Sequence, residues 1–131
     1  RDAAGAGGSA VERLCRMVEA SVALNREHPG LADFLALAPV DARRHGELAA
    51  RVGALGGEVP ALFAEVLAAG VERGELPKEL EIESAVHLIV AASYGLSWFR
   101  GLLPSSGAHD AALRAFQALL RGELLRQPGA R

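Results

Sequence analysis

The chain has 131 residues, of which 50% are hydrophobic, 23% are charged and 5% are aromatic. This length is typical of one domain, and the apolar share excludes an intrinsically disordered chain. Fourteen basic residues against 16 acidic ones leave a net charge of −2, which argues against a domain that binds phosphate backbones by itself. The single cysteine, Cys15, excludes an internal disulfide and is typical of a reducing cytoplasm.

The composition also predicts the fold class. The chain contains no threonine, two isoleucines and ten valines, against 26 alanines and 20 leucines. Strands favour β-branched and aromatic residues, whereas Ala and Leu are among the best helix formers. We therefore expect an all-α protein, with residues 1–8 as a linker, 9–127 as one helical domain and 128–131 as a tail. Thirteen of the 14 basic residues are arginine, which suggests a GC-rich bacterial genome.

The first two predicted helices lie in the N-terminal third of the chain. Ser9 and Glu12 have the spacing of a capping box at the start of the first helix, which is expected to run to about Glu27. A short second helix is expected over about 31–38, where Pro39 ends it.

A third, longer helix is expected over about 41–73. Pro60 lies inside it, and because proline removes an interior hydrogen bond, we expect a kink or a brief break there. Gly74 is predicted to end this helix in a left-handed conformation, with Leu76 placed for the accompanying hydrophobic contact.

The last two predicted helices are long. The fourth, over about 81–103, contains a run of 16 uncharged residues at 84–99, which is shorter than the roughly 20 apolar residues of a membrane span. This helix is apolar on every side, so we expect a second subunit to cover what the chain itself leaves exposed. A fifth helix over about 108–126, ended by Pro128 and Gly129, completes the predicted five-helix, bundle-like domain.

One face of the fourth predicted helix offers features of a ligand pocket. His87, Ala91, Tyr94 and Trp98 follow helical spacing and place polar tips on an apolar wall, as small-molecule pockets do. With residues from other helices, the candidate ligand-binding set is Met17, Phe34, Phe63, His87, Tyr94 and Trp98. Ordinary packing in a core or an interface explains the same residues without a ligand, and both interpretations stay open.

The sequence offers no defensible catalytic or metal-binding pattern. The four histidines, His28, His45, His87 and His109, are not spaced with other ligands as a metal site requires. Cys15 lies in an apolar helical stripe, where cysteine behaves as a small hydrophobic residue. We therefore expect no enzymatic activity, no metal and no cofactor.

Two ordered stretches resemble a known family. They are AGVERGELP at 69–77 and AVHLIVAASYGL at 85–96, with EHP at 27–29 before them and an apolar helix ending in LLRG after them. In this order, over residues 11–125, the chain resembles the C-terminal domain of tetracycline-repressor-like (TetR-family) transcriptional regulators.

The resemblance implies a homodimer and a small effector. In this family the last two long helices, here 81–103 and 108–126, pair with those of a partner in a four-helix bundle. An apolar or amphipathic effector binds among the earlier helices and the inner face of the fourth. The candidate dimer-interface residues are Ala92, Leu96, Phe99, Leu113, Phe116 and Leu120.

The resemblance further implies an N-terminal helix-turn-helix domain that reads DNA, and no such segment precedes Val11. We therefore expect this chain to be the sensing and dimerising part of a longer, cytoplasmic bacterial regulator, acting as a repressor. DNA would be contacted only through the missing domain. The alternative is a helical dimerisation or interaction module with no small-molecule ligand.

Overall fold

The computed structural model describes residues 7–28, 57–99 and 106–125 continuously, together with isolated positions between 30 and 50. In this part of the chain all regular structure is helical, which confirms the all-α prediction. The four helices are α1 (Ala10–Glu27), α2 (Glu58–Glu72), α3 (Ile82–Phe99) and α4 (Ser106–Leu120).

These helices account for four of the five predicted ones. α1, α3 and α4 correspond to the first, fourth and fifth, and α2 to the C-terminal part of the third. Most of the predicted second helix, 31–38, and the first part of the third, from 41 to 56, lie outside the described residues. The fifth helix of the bundle therefore stays a prediction.

The start of α1 has the predicted capping box. The Ser9 hydroxyl oxygen accepts a hydrogen bond from the Glu12 backbone N–H at 3.3 Å, and the Glu12 carboxylate accepts one from the Ser9 N–H at 2.9 Å. The next N–H group, that of Ala10, donates to the Glu75 carboxylate. Three of the backbone donors at this helix start are thus satisfied by side chains.

α2 begins at Glu58, so Pro60 stands in its first turn. An N–H in the first turn has no acceptor within the helix, so proline costs little there. The kink or break expected near Pro60 is therefore tested only on its C-terminal side, where the helix runs on to Glu72. Residues 51–56, directly before it, lie outside the described part.

α2 ends as predicted at Gly74, whose φ of 69° is left-handed. The Gly74 N–H donates to the Val71 carbonyl at 3.0 Å and the Glu75 N–H to the Gly70 carbonyl at 2.9 Å. This pair of bonds is a Schellman motif. Leu76 folds back toward Gly70, so that its Cδ1 would lie 2.8 Å from a Cβ placed on that glycine.

The predicted bounds of the last helix, 108–126, are wrong. α4 starts at Ser106 and ends at Leu120, because Gly122 adopts a φ of 70° and turns the chain away. The Gly122 N–H donates to the Leu119 carbonyl at 2.9 Å and the Glu123 N–H to the Ala118 carbonyl at 2.8 Å. A second Schellman motif therefore ends this helix before the Pro-Gly pair that was expected to do so.

The core lies where α1, α2 and α3 meet. α1 contacts each of the other three helices, and α3 contacts both α2 and α4. The core cluster consists of Ala10, Leu14, Met17, Val18, Phe63, Val66, Leu67, Val86 and Ile89. α4 packs on this cluster through Leu113, Phe116 and Leu120, which are partly buried. None of the helices in the described ranges combines the length and the apolar character needed to cross a bilayer.

Candidate functional site

The side of α3 that faces away from the core is exposed and apolar. α3 buries Val86, Ile89 and Ser93. Six residues at helical spacing on the opposite side are exposed, and we call them the outer face of α3: Ser84, His87, Leu88, Ala91, Tyr94 and Trp98. The side chain periodicity of a helix explains why one apolar helix presents both a core face and an outer face.

The outer face exposes large hydrophobic side chains. Leu88 is 68% exposed, Trp98 56% and Tyr94 41%. Phe99, at the edge of this face, is 51% exposed and packs edge-to-face on Trp98, with ring centroids 5.0 Å apart and planes at 80°. Contiguous exposed apolar surface of this kind marks interaction sites in proteins.

Both serine hydroxyl groups in the second half of α3 are satisfied within the chain. The Ser93 hydroxyl donates to the Ile89 carbonyl at 2.8 Å, and the Ser97 hydroxyl donates to the Ser93 carbonyl at 3.0 Å. The buried His109 of α4 donates from Nε2 to the Leu96 carbonyl at 3.0 Å, which fastens α4 to α3. Because these groups already have partners, burying this half of the helix would leave none of them unsatisfied.

The described residues do not bring the six candidate ligand-binding side chains to one place. Met17 and Phe63 belong to the buried core cluster. His87, Tyr94 and Trp98 lie on the outer face of α3, and Phe34, one of the isolated described positions, is about half exposed. Binding of a ligand by this set stays a prediction.

The six candidate dimer-interface residues differ in their surroundings. Leu113, Phe116 and Leu120 pack against the core of their own chain. Ala92 and Leu96 are half-buried, whereas Phe99 is exposed beside the outer face. Sequence reasoning missed Leu88, the most exposed large residue of α3. The signal that could have found it is the helical spacing: Leu88 comes four residues after Ser84 and three before Ala91, which places it on the same face as His87.

A second surface feature is an open groove of about 380 Å³ between α1 and α4. Arg26 of α1 and Asp110 of α4 form an ion pair in its lining. The lining residues are Glu19, Val22, Ala23, Arg26, Asp110, Leu113, Arg114 and Gln117. None of the candidate ligand-binding residues is among them, and the two acidic and two basic side chains leave the groove without net charge.

Cys15 is buried between α1 and α4. Its Sγ lies 3.9 Å from the Gln117 carbonyl, and the Gln117 amide donates to the Cys15 carbonyl at 3.4 Å. Burial raises the pKa of the Cys15 thiol, and the nearby Arg121 opposes this shift only in part. The thiol form is favoured, which makes this sulfur a poor nucleophile. Within the ranges that the structure describes, no three His, Cys, Asp or Glu residues cluster as metal ligands.

Comparisons with known protein families, with curated proteins and with solved structures find no match to this chain. The resemblance to the TetR family therefore stays a prediction that residues 69–77 and 85–96 carry. In the fold, the first of these stretches contains the end of α2 and its Schellman turn, and the second lies entirely within α3.

Proposed function

We propose that this chain is the ligand-sensing and homodimerisation domain of a cytoplasmic, TetR-like transcriptional regulator, and that it associates with itself through the outer face of α3. The observation that supports self-association is the exposure of Leu88, Tyr94 and Trp98 on one uncharged face. Removing such side chains from water is a main source of binding free energy in protein association.

The chemistry of this face favours a second copy as the partner. Residues 84–99 carry no Asp, Glu, Lys or Arg, so apart from the His87 imidazole the face offers little to pair with a charged partner surface. A charge buried against it without a partner would be costly. A second copy presents the same uncharged face, and a two-fold axis brings identical patches together.

Sedimentation velocity over a wide range of protein concentration tests self-association. We expect a species of twice the 13.7 kDa chain mass that dissociates on dilution. Trp98→Glu should shift the equilibrium strongly to the monomer, because it places a charge in the centre of the interface. Val59→Glu, which adds the same charge at an exposed position of α2, is the matched control and should leave the equilibrium unchanged.

Two results contradict the proposal. The first is a folded wild-type chain that stays monomeric at every concentration. The second is a Trp98→Glu variant that dimerises as well as the wild type and the Val59→Glu control. Either result separates the exposed face of α3 from self-association.

A dimerisation module without a small-molecule ligand is the second candidate function. It is favoured by one observation: Met17 and Phe63 are packed in the core, while Tyr94 and Trp98 lie outside it. A thermal-shift screen with apolar and amphipathic compounds separates the two functions. Saturable stabilisation that also changes the fluorescence of Trp98, the only tryptophan, supports the sensor. A dimer that no compound stabilises supports the module.

The regulatory part of the proposal concerns the rest of the polypeptide. We propose that DNA is bound by a separate helix-turn-helix domain, and that the effector changes the relative placement of the two DNA-binding heads. A coupling of about 1–3 kcal/mol suffices to change DNA affinity roughly 5- to 150-fold. Sequencing the native reading frame upstream of Arg1 tests this part directly, because a basic three-helix segment must be encoded there.

A further inference from the structure

The chain approaches α1 through three residues that are held in place, Gly7, Gly8 and Ser9, and we call them the entry segment. The Arg16 guanidinium, in the second turn of α1, donates from Nη2 to the Gly7 carbonyl at 2.6 Å. The Glu12 carboxylate accepts a hydrogen bond from the Ser9 N–H at 2.9 Å. A segment outside the helices is usually mobile unless other groups tie it down, and here two side chains of α1 do so.

Gly8 gives the entry segment a shape that glycine adopts most easily. Its φ is 114°, a backbone conformation in which residues with a Cβ are rarely found. A Cβ on Gly8 would also lie 2.6 Å from the Glu12 Oε2 atom that accepts the Ser9 bond, and 3.5 Å from Nη1 of Arg16. The backbone of the entry segment therefore passes close to both side chains that hold it.

The end of α2 reaches the same point from the other side. The Ala10 N–H, which follows that of Ser9, donates to Oε2 of Glu75, and the Arg73 Nε donates to Oε1 at 2.5 Å. The bond from Arg73, then the one from Ala10, lower the pKa of Glu75, so the carboxylate is charged at neutral pH. Gly70 of α2 lies so close that a Cβ on it would be 2.6 Å from that of Ala10. The N–H groups of two consecutive residues are thus held by carboxylates from two different parts of the chain.

We infer that the entry segment and the end of α2 move together, and that Glu75 sets the direction from which the chain enters α1. A shift of the Glu75 carboxylate turns the peptide group between Ser9 and Ala10, which adjoins the peptide group that Glu12 holds. The coupling is a property of this fold. That it carries a signal to a domain placed before α1 rests on the proposed function.

The distance between two spin labels, measured by double electron–electron resonance, tests the coupling. One label is attached at Gly7→Cys, where a Cβ meets nothing within 4 Å, and the other at Glu65→Cys, an exposed position of α2. Cys15→Ala leaves these two as the only cysteines, and dilution with unlabelled chain gives any dimer a single labelled pair. We expect one narrow distance distribution.

Glu75→Ala should broaden this distribution about twofold or more, because the Ala10 N–H then loses its acceptor on the α2 side. Glu72→Ala, which removes an exposed carboxylate at the end of α2, is the matched control and should leave the width unchanged. Gly8→Ala disturbs the entry segment itself, so it should broaden the distribution and show that the labels report its release. Far-UV circular dichroism of each variant checks that its helices are intact.

A narrow distribution that Glu75→Ala broadens and Glu72→Ala does not supports the coupling. If Gly8→Ala broadens it and Glu75→Ala leaves it narrow, or if both glutamate variants broaden it equally, the coupling is overturned. A distribution that is already broad before these substitutions overturns the fixed entry segment. None of these results depends on whether the chain dimerises or binds an effector, which sedimentation velocity and the thermal-shift screen decide separately.

Discussion

Two regions of this molecule place a glycine inside a helix, and they differ in what surrounds it. Gly70 is buried where α2 meets the first turn of α1, with Ala10 and Leu76 so close that a side chain has no room. Gly95 lies in α3 with open space above it. The comparison teaches that a helical glycine can have opposite effects in two places. A methyl group added at Gly70 must displace its neighbours, whereas one added at Gly95 meets open space and should favour the helix.

The same contrast holds for the aromatic residues of the last two helices. Phe116 of α4 packs on the core of its own chain, whereas Trp98 of α3 is exposed on the outer face. Both belong to helices that the sequence assigned to a dimer. Substitutions at the two positions should therefore have different consequences, and they allow folding to be separated from association.

The largest expected effect is that of Phe116→Glu. Burying a carboxylate against the core cluster, and losing the phenyl ring, should lower the free energy of unfolding by on the order of 3 kcal/mol or more. Urea unfolding measures this loss. Leu119→Glu is the matched control, because Leu119 is exposed on the same helix and the change should cost little. Equal losses for both variants would contradict the assignment of Phe116 to the core.

A smaller effect is expected for Gly70→Ala. The new Cβ would lie 2.6 Å from the Ala10 Cβ and 2.8 Å from Leu76 Cδ1, so the junction of α1 and α2 must open. We expect a loss of about 1–3 kcal/mol in the free energy of unfolding. Thermal unfolding of this variant beside Gly95→Ala gives the comparison directly. A Gly70→Ala variant as stable as the wild type would mean that the junction adapts without cost.

The smallest expected effect concerns pH. The hydrogen bond from Arg73, then the one from the Ala10 N–H, lower the pKa of Glu75 in the folded chain. The carboxylate therefore adds stability at neutral pH, and this contribution is lost as the pH falls below about 4.5, through the lowered pKa of the folded state. Glu75→Gln should flatten this part of the acid unfolding profile. Glu72→Gln, an exposed neighbour, is the control, and an equal flattening by both would exclude a specific role for Glu75.

The features of the fold that could be predicted are those that residues close together in the sequence determine. The Ser9 capping box and the Gly74 helix end depend on residues a few positions apart, and both are confirmed. The end of α4 was predicted wrongly because Pro128 and Gly129 were given more weight than Gly122. Yet Gly122 comes two residues after the end of α4, just as Gly74 comes two residues after the end of α2. An arginine directly precedes each glycine, and both glycines have a positive φ.

The candidate site was harder to predict, for a physical reason. Periodicity identifies the apolar side of a helix, and it does not say whether that side meets its own chain or another. Leu113 and Phe116 were correctly placed on the apolar side of α4, and in the fold that side meets the core of the same chain. Tyr94 and Trp98 were candidates for either a pocket lining or ordinary packing, and the structure places them at the surface.

The bond between the Ala10 N–H and the Glu75 carboxylate has a consequence for the order in which the molecule opens. It joins the beginning of one helix to the turn that ends another, 65 positions away in the chain. Helix ends ordinarily fray independently and exchange their amide hydrogens first. We therefore expect the Ala10 amide to exchange only when its bond to the Glu75 carboxylate breaks, which would link the fraying of these two helix ends.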